Sequence, residues 1–144
     1  MKRLALLLIT SCLSIGAMAA DVIKAERKEV NGDVTVHYNT FNSTFLTPDI
    51  AKGAELIRSK HQGVINVSVI KEGKPLMAQV SGTVKDLTSK TVPLTFRQVT
   101  EAGAIYYIAQ YPVEQQETRT FEIKVQTGDK INTINFNQEL FPGQ

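Results

Sequence analysis

From Asp21 onward, apolar residues recur at every second position, the period of a strand with one buried face. In Asp33 to Phe41, Val34, Val36 and Tyr38 point one way and Thr35, His37 and Asn39 the other. Val64 to Ile70 repeats this with Ile65, Val67 and Val69 inward. In Leu76 to Val84, the residues Ala78, Val80 and Val84 share a face. Thr118 to Gln126 alternates Phe121, Ile123 and Val125 with Glu122, Lys124 and Gln126. Ile131 to Leu140 turns Ile134, Phe136 and Leu140 inward. Val92 to Val99 reads as one more strand, with Pro93 placing its start at an edge or strand end. Ala104 to Tyr111 is apolar on both faces, which predicts a central strand. Val22 to Val30 carries Lys24, Glu26 and Lys28 and suits only an edge.

Turn signals separate these runs. Asn31-Gly32, Glu72-Gly73, Glu101-Ala102-Gly103 and Gly128-Asp129 each supply residues that tolerate a left-handed backbone. Thr47-Pro48-Asp49 predicts one short helical turn, with Thr47 as cap, Pro48 at the first helical position and Gly53 as its stop. Seven to eight short strands with almost no helix predict an all-β fold, an antiparallel β-sandwich. A small barrel is the other way to bury one face of each strand. The chain has no tryptophan and one cysteine, so "immunoglobulin-like" describes the layering alone.

The first nineteen residues, MKRLALLLITSCLSIGAMA, break the alternation. Lys2 and Arg3 precede an apolar run from Leu4 to Met18, and Ala17 and Ala19 form an A-x-A pattern. This is the layout of a secretory leader cleaved after Ala19. Residues 20–144 are then expected to form a single exported β-sandwich domain. Ile9-Thr10-Ser11-Cys12 also resembles a lipobox, and only a lipidated Cys12 would tie the domain to a membrane. Against this, the apolar run continues past Cys12 through Leu13, Ile15 and Met18.

Composition then narrows the chemistry. Taking Lys2 and Arg3 from the 16 basic residues leaves 14, matching the 14 acidic ones. A neutral domain carries no field for nucleic acid. The single cysteine lies in the leader, so the mature domain has no disulfide, no cysteine nucleophile and no cysteine metal site. Ser68-Val69-Ile70-Lys71 matches an S-x-x-K string, but a spacing of three on a strand turns the two side chains to opposite faces. His37 and His61 are the only histidines, too few for a histidine-based metal site, and no metal or other cofactor is expected. Glu114, Glu117 and Glu122 fall on a loop and an outward face, where acids keep a surface soluble rather than flank a glycosidic bond. The sequons at Asn42 and Asn66 matter only in a eukaryotic secretory pathway. No nucleophile–base pair survives this test, so the chain is expected not to be an enzyme.

Two segments remain. In Phe41-Asn42-Ser43-Thr44-Phe45-Leu46, aromatics bracket three small polar residues. This suits a crossing between sheets, or a rigid recognition loop held by its rings. Arg58-Ser59-Lys60-His61 gathers three basic side chains, either a solvated loop or an anchor for an acidic group.

The strings HYNTFNSTFLTPDIAK, IRSKHQGVINVSV, AIYYIAQYP and FEIKVQ stand in an order that resembles the family of small exported bacterial proteins called domain of unknown function 4426. The likeness spans roughly Glu26 to Pro142. It implies a periplasmic domain with an immunoglobulin-like β-sandwich, and it implies no activity. The expectation is therefore a non-enzymatic binding or accessory module that contacts another envelope protein through Asn42, Ser43, Thr44, Arg58 and Lys60. The alternative is a small-ligand carrier with a pocket between the sheets near Tyr106, Tyr107 and Tyr111.

Overall fold

A computed structural model describes residues 27–143. The leader, its cleavage site, Cys12 and the first part of the strand predicted at 22–30 lie outside the described residues. Strands alternate with tight turns because each apolar face needs a partner sheet and each turn has a residue that accepts positive φ. β1 (Arg27–Asn31), β2 (Val34–Asn42), β3 (Gln62–Lys71), the two-residue β4 (Lys74–Pro75), β7 (Arg97–Glu101) and β8 (Ala104–Pro112) make a six-stranded sheet. Its order is β1-β2-β3-β8-β7, with β4 on the end of β3. β5 (Gln79–Lys85), β6 (Thr91–Leu94), β9 (Glu117–Thr127) and β10 (Lys130–Leu140) make a four-stranded sheet in the order β10-β9-β5-β6. Every pairing is antiparallel. The two sheets stack as a β-sandwich.

The strand count is ten rather than seven to eight, for two physical reasons. β4 is a two-residue return pairing that apolar periodicity cannot show. The run Val92 to Val99 is two strands in different sheets, because the chain crosses over at Thr95-Phe96. Val92, Leu94 and Phe96 pack into the core between the sheets, whereas Val99 packs on the far side of the larger sheet. Pro93 lies on β6, an edge strand, where its missing N–H costs least.

The core between the sheets takes Val36, Ile65, Val67, Val69, Tyr107, Ala109 and Tyr111 from one side. Val84, Leu94, Phe121, Ile123, Val125, Ile134 and Leu140 answer from the other. Each such side chain contributes about 1.5–3 kcal/mol when fully buried. β8 is central, as its apolar run predicts, and β3, which the sequence reads only as an alternating strand, lies beside it. Their outer residues Val64 and Ile108 meet Leu46 and Ala51 in a second cluster. That cluster exists because the β2–β3 connection folds back over the larger sheet. It holds a 3-10 turn at Ser43–Phe45 and a helix, α1 (Pro48–Gly53). Thr47 caps α1 by accepting from the Ile50 N–H at 3.2 Å, with Pro48 at its start, as the sequence predicts. The segment thus joins neighbours in one sheet and does not cross between sheets.

The two ends of the sandwich differ. One end has four two-residue turns: Gly32-Asp33, Glu72-Gly73, Ala102-Gly103 and Gly128-Asp129. The first is one residue later than the Asn31-Gly32 pair suggests, with Gly32 at φ +64°. Ala102 holds φ +51°, a conformation that costs a residue with a Cβ about 1–2 kcal/mol. The opposite end carries the longer connections: 43–61, 86–90, 113–116 and the residues after β10.

Gly63 and Tyr111 are cross-strand partners on β3 and β8. The Tyr111 ring lies across the space that a Cβ at Gly63 would fill, and it is held edge-on to Phe121 at 5.2 Å. Gly63→Ala is therefore expected to destabilise the domain by about 1–3 kcal/mol through overpacking. Urea unfolding at constant m-value checks this, and an unchanged midpoint would show that the ring has room to move.

Candidate functional site at the loop-bearing end

The longest connection is pinned by its small polar residues. Asn42 accepts from the Thr44 N–H at 3.0 Å and the Thr44 hydroxyl at 2.8 Å, which sets the 3-10 turn. Its amide donates to the Lys60 carbonyl at 3.0 Å. Ser43 is fully buried. Its hydroxyl donates to the Ser59 carbonyl and accepts from the Ser59 N–H, both at 2.8 Å. Arg58 donates to the Thr44 carbonyl at 3.3 Å. The structure thus brings all five predicted contact residues to one place. It gives Asn42 and Ser43 to holding the loop, and it leaves Arg58 and Lys60 exposed.

Beside this clasp, a cleft of about 550 Å³ opens between the two sheets. One wall is Thr40, Phe41, Asn42, Thr44 and Phe45; the other is Gln138 to Gly143; Gly63, Tyr111 and Val113 lie between. The Gly143 N–H donates to the Lys60 carbonyl at 2.7 Å, so the residues after β10 are tied to the clasp. Phe45 and Phe141 stand about half exposed, at 50% and 51%.

The polar groups of the cleft are mostly engaged inside the fold. Gln138 accepts from Arg27 at 2.9 Å and donates to the Glu139 carbonyl at 3.1 Å. Glu139 accepts from Gln116 at 2.7 Å. Burial pushes the Tyr111 hydroxyl above the ordinary phenol range, and a hydrogen bond with Thr40 pulls it partly back. Tyr111 is therefore neutral, and the cleft offers mainly apolar surface.

The three tyrosines do not share a pocket. Tyr107 and Tyr111 point into the core, and the Tyr107 hydroxyl accepts from the Ala78 N–H at 2.9 Å. Tyr106 packs on the outer face with Val64 and Ile108, because neighbours on a strand point to opposite faces. Only Tyr111 reaches the cleft. Sequence reasoning missed the cleft walls at Gln138 to Gly143. The apolar run Leu140-Phe141-Pro142 after the last strand was the available signal.

A second, more polar groove lies between the β5–β6 and β8–β9 connections, lined by Asp86, Lys90, Glu117 and Arg119 among others. Arg119 is paired with Glu117 and also donates to the Pro112 carbonyl at 2.6 Å. Asp86 accepts from the Thr88 hydroxyl at 2.6 Å and from the Thr88 and Lys90 N–H groups at 2.9 Å. Those bonds hold its carboxyl below the usual carboxylate range, with the Thr88 hydroxyl the largest cause. Among the described residues, no three His, Cys, Asp or Glu side chains gather as metal ligands would.

A family model for a domain of unknown function, DUF4426, matches residues 28–143. The chain belongs to the DUF4426 family. A DUF4426 family protein from Pseudomonas aeruginosa has a crystal structure similar to this one, with 52% identity and a TM-score of 0.79. The match covers 83% of this chain and 97% of that one. The DUF4426 fold is also similar to FetP from uropathogenic Escherichia coli strain F11. The as-isolated protein gives a TM-score of 0.60 at 10% identity, covering 83% of this chain and 96% of that one. A copper-bound variant of FetP gives 0.63 at 9% identity, covering 81% and 95%. At such identities the likeness is one of fold. Comparison with curated proteins finds no match.

Two outcomes test this account of the DUF4426 loop end. Ser43→Ala leaves the Ser59 N–H without its partner, while the Ser59 carbonyl keeps the Gln62 N–H at 3.2 Å, and is expected to cost about 1–3 kcal/mol. Urea unfolding reads that loss, and an unaltered midpoint would remove Ser43 from the clasp. Asp86 has a folded pKa below its unfolded value. Its contribution to stability is therefore complete above the unfolded pKa and lost as pH falls through the folded one. Carboxyl NMR is expected to show Asp86 titrating below a free aspartate, and Asp86→Asn to remove that acid-side loss of stability.

Proposed function

We propose that this DUF4426 protein is an exported, periplasmic, non-enzymatic binding module. Its loop-bearing end docks another envelope protein, and the cleft grips an apolar side chain of that partner. The observation that carries this reading is an open cleft whose polar groups are mostly spent internally and whose rim holds two half-exposed phenylalanines. A buried apolar anchor surrounded by polar contacts is the usual energetic core of an interface. Arg58 and Lys60 stand beside the clasp and favour an acidic flank on the partner. The leader with its A-x-A end supports export. FetP, of similar fold, was produced in the periplasm of its expression host.

A second reading follows from the size of the cleft. At about 550 Å³ it falls within the range of small-molecule sites. The carrier reading therefore moves from the tyrosines to this end of the sandwich. Native mass spectrometry of protein from its own host separates the two readings. A co-purifying small mass supports the carrier, and a clean apo mass supports the docking module.

In-cell crosslinking of the exported, tagged chain tests the docking reading directly. Phe45→Asp with Phe141→Asp is expected to lower capture of the partner about tenfold or more. Arg58→Glu with Lys60→Glu is expected to lower it less, mainly through slower association. A modest drop in thermal stability is expected from the half-buried rings and the lost Arg58–Thr44 bond, so capture is compared where each variant is fully folded. Capture that survives both pairs of substitutions would sink the proposed site.

A further inference from the structure

A sandwich has four sheet edges, and three of these carry the usual protection against strand addition. β1 presents Arg27, Lys28 and Glu29 within five residues. β6 contains Pro93 and is four residues long. β7 begins with Arg97, ion-paired to Glu55 at 3.0 Å, and ends with Glu101. β10 has charges only at its ends, Lys130 and Glu139. It runs for eleven residues, pairs along its length with β9 alone, and carries no charge, proline or glycine from Ile131 to Gln138. Its contact with the neighbouring edge is through Arg27. That side chain donates to Gln138 at 2.9 Å and to the Asn137 carbonyl at a long 3.5 Å, and it lies 5.0 Å over the Phe136 ring.

We propose that β10 is the edge through which two copies of this chain pair, antiparallel about Asn135. The strand is close to palindromic in character around that residue. Ile134 mirrors Phe136, Thr133 mirrors Asn137, and Asn132 mirrors Gln138. A two-fold interface demands this property, since each position must accept its mirror. Pairing sets Ile134 against Phe136 of the second copy on the inner side, which extends the core. It sets Asn135 against itself and Thr133 against Asn137 on the solvent side, where all three are exposed and hydrogen-bonding. The charges also agree. Lys130 and Glu139 sit at opposite ends, so antiparallel pairing brings the basic end of one strand to the acidic end of the other. The product is one continuous eight-stranded sheet. A single strand pair is a small contact beside the roughly 1,200–2,000 Å² of a standard interface, so a weak, concentration-dependent association is expected. This inference does not rest on the cleft or its partner.

Sedimentation of the purified exported chain from about 10 μM to about 1 mM tests it. A monomer–dimer equilibrium is expected. Asn135→Lys places two cations opposite each other at the dyad and is expected to weaken the dimer about tenfold or more. The substitution sits beside Glu122 on β9, so the dilute monomer keeps its thermal unfolding. Mixing Asn135→Lys with Asn135→Glu protein is expected to restore dimers as a mixed pair. A chain that stays monomeric across the whole range, or a dimer indifferent to Asn135→Lys, overturns the proposal. Failure of the mixed pair to form overturns it as well.

Discussion

The ring of Tyr111 needs the bare backbone of Gly63, and much of the rest follows from that contact. With no Cβ on β3, the ring lies flat over the neighbouring strand instead of standing off it. It then meets Phe121 edge-on, Phe121 stacks on Phe136 at 4.9 Å, and Phe136 meets Tyr38 at 4.9 Å. Arg27 lies over Phe136 within this row. The row crosses from one sheet to the other and back, and each pair adds about 0.5–1.5 kcal/mol beyond its burial. It links the sheets where many sandwiches of this layering use a disulfide. The same ring lies at the back of the cleft, so the site and the core share one side chain.

The polarity of the sandwich comes from turn chemistry. Two-residue turns fix register tightly and leave no slack for a binding loop. All four of them fall at one end. The other end takes the connection 43–61, which is long enough to fold back over Val64 and Ile108. The second cluster costs nothing in strand pairing and gives the clasp residues a rigid base. Asn42 and Ser43 then serve as internal hydrogen-bond partners, and exposure is left to Phe45, Arg58 and Lys60.

Much of this was legible in the alternation. The inward sets of β2, β3, β9 and β10 are those the sequence assigns, because a period of two is a local property. The crossing at Thr95-Phe96 was missed, because the run reads as one strand unless its change of phase is followed. Val92, Leu94 and Phe96 share one parity and Val99 has the other. The grouping of Tyr106 with Tyr107 fails for the same local reason, since adjacent strand residues face opposite ways. The cleft was not legible. Its walls come from β2, β3, β8 and β10, and sequence separation hides which strand ends lie beside each other. The clustering of Asn42 with Ser59 and Lys60 is nonlocal as well, yet small polar residues between aromatics marked half of it.

The edge and the cleft are joined by β10 itself. The proposed pairing about Asn135 turns the two loop-bearing ends to opposite ends of the dimer. It also sets Lys130 of the second copy beside Leu140, and the Gly128-Asp129 turn of that copy beside Phe141. In that pairing Lys130 and Asp129 of the second copy both come to the side of the rim where Glu139 already stands. A neutral domain thereby presents both signs of charge around one apolar slot, which favours a partner with an apolar anchor flanked by charges of both kinds. Weak association through β10 makes that rim depend on concentration. Binding at the cleft and pairing at the edge are then linked, and a partner that touches Asp129 of the second copy stabilises the dimer by the same free energy that the dimer adds to its binding.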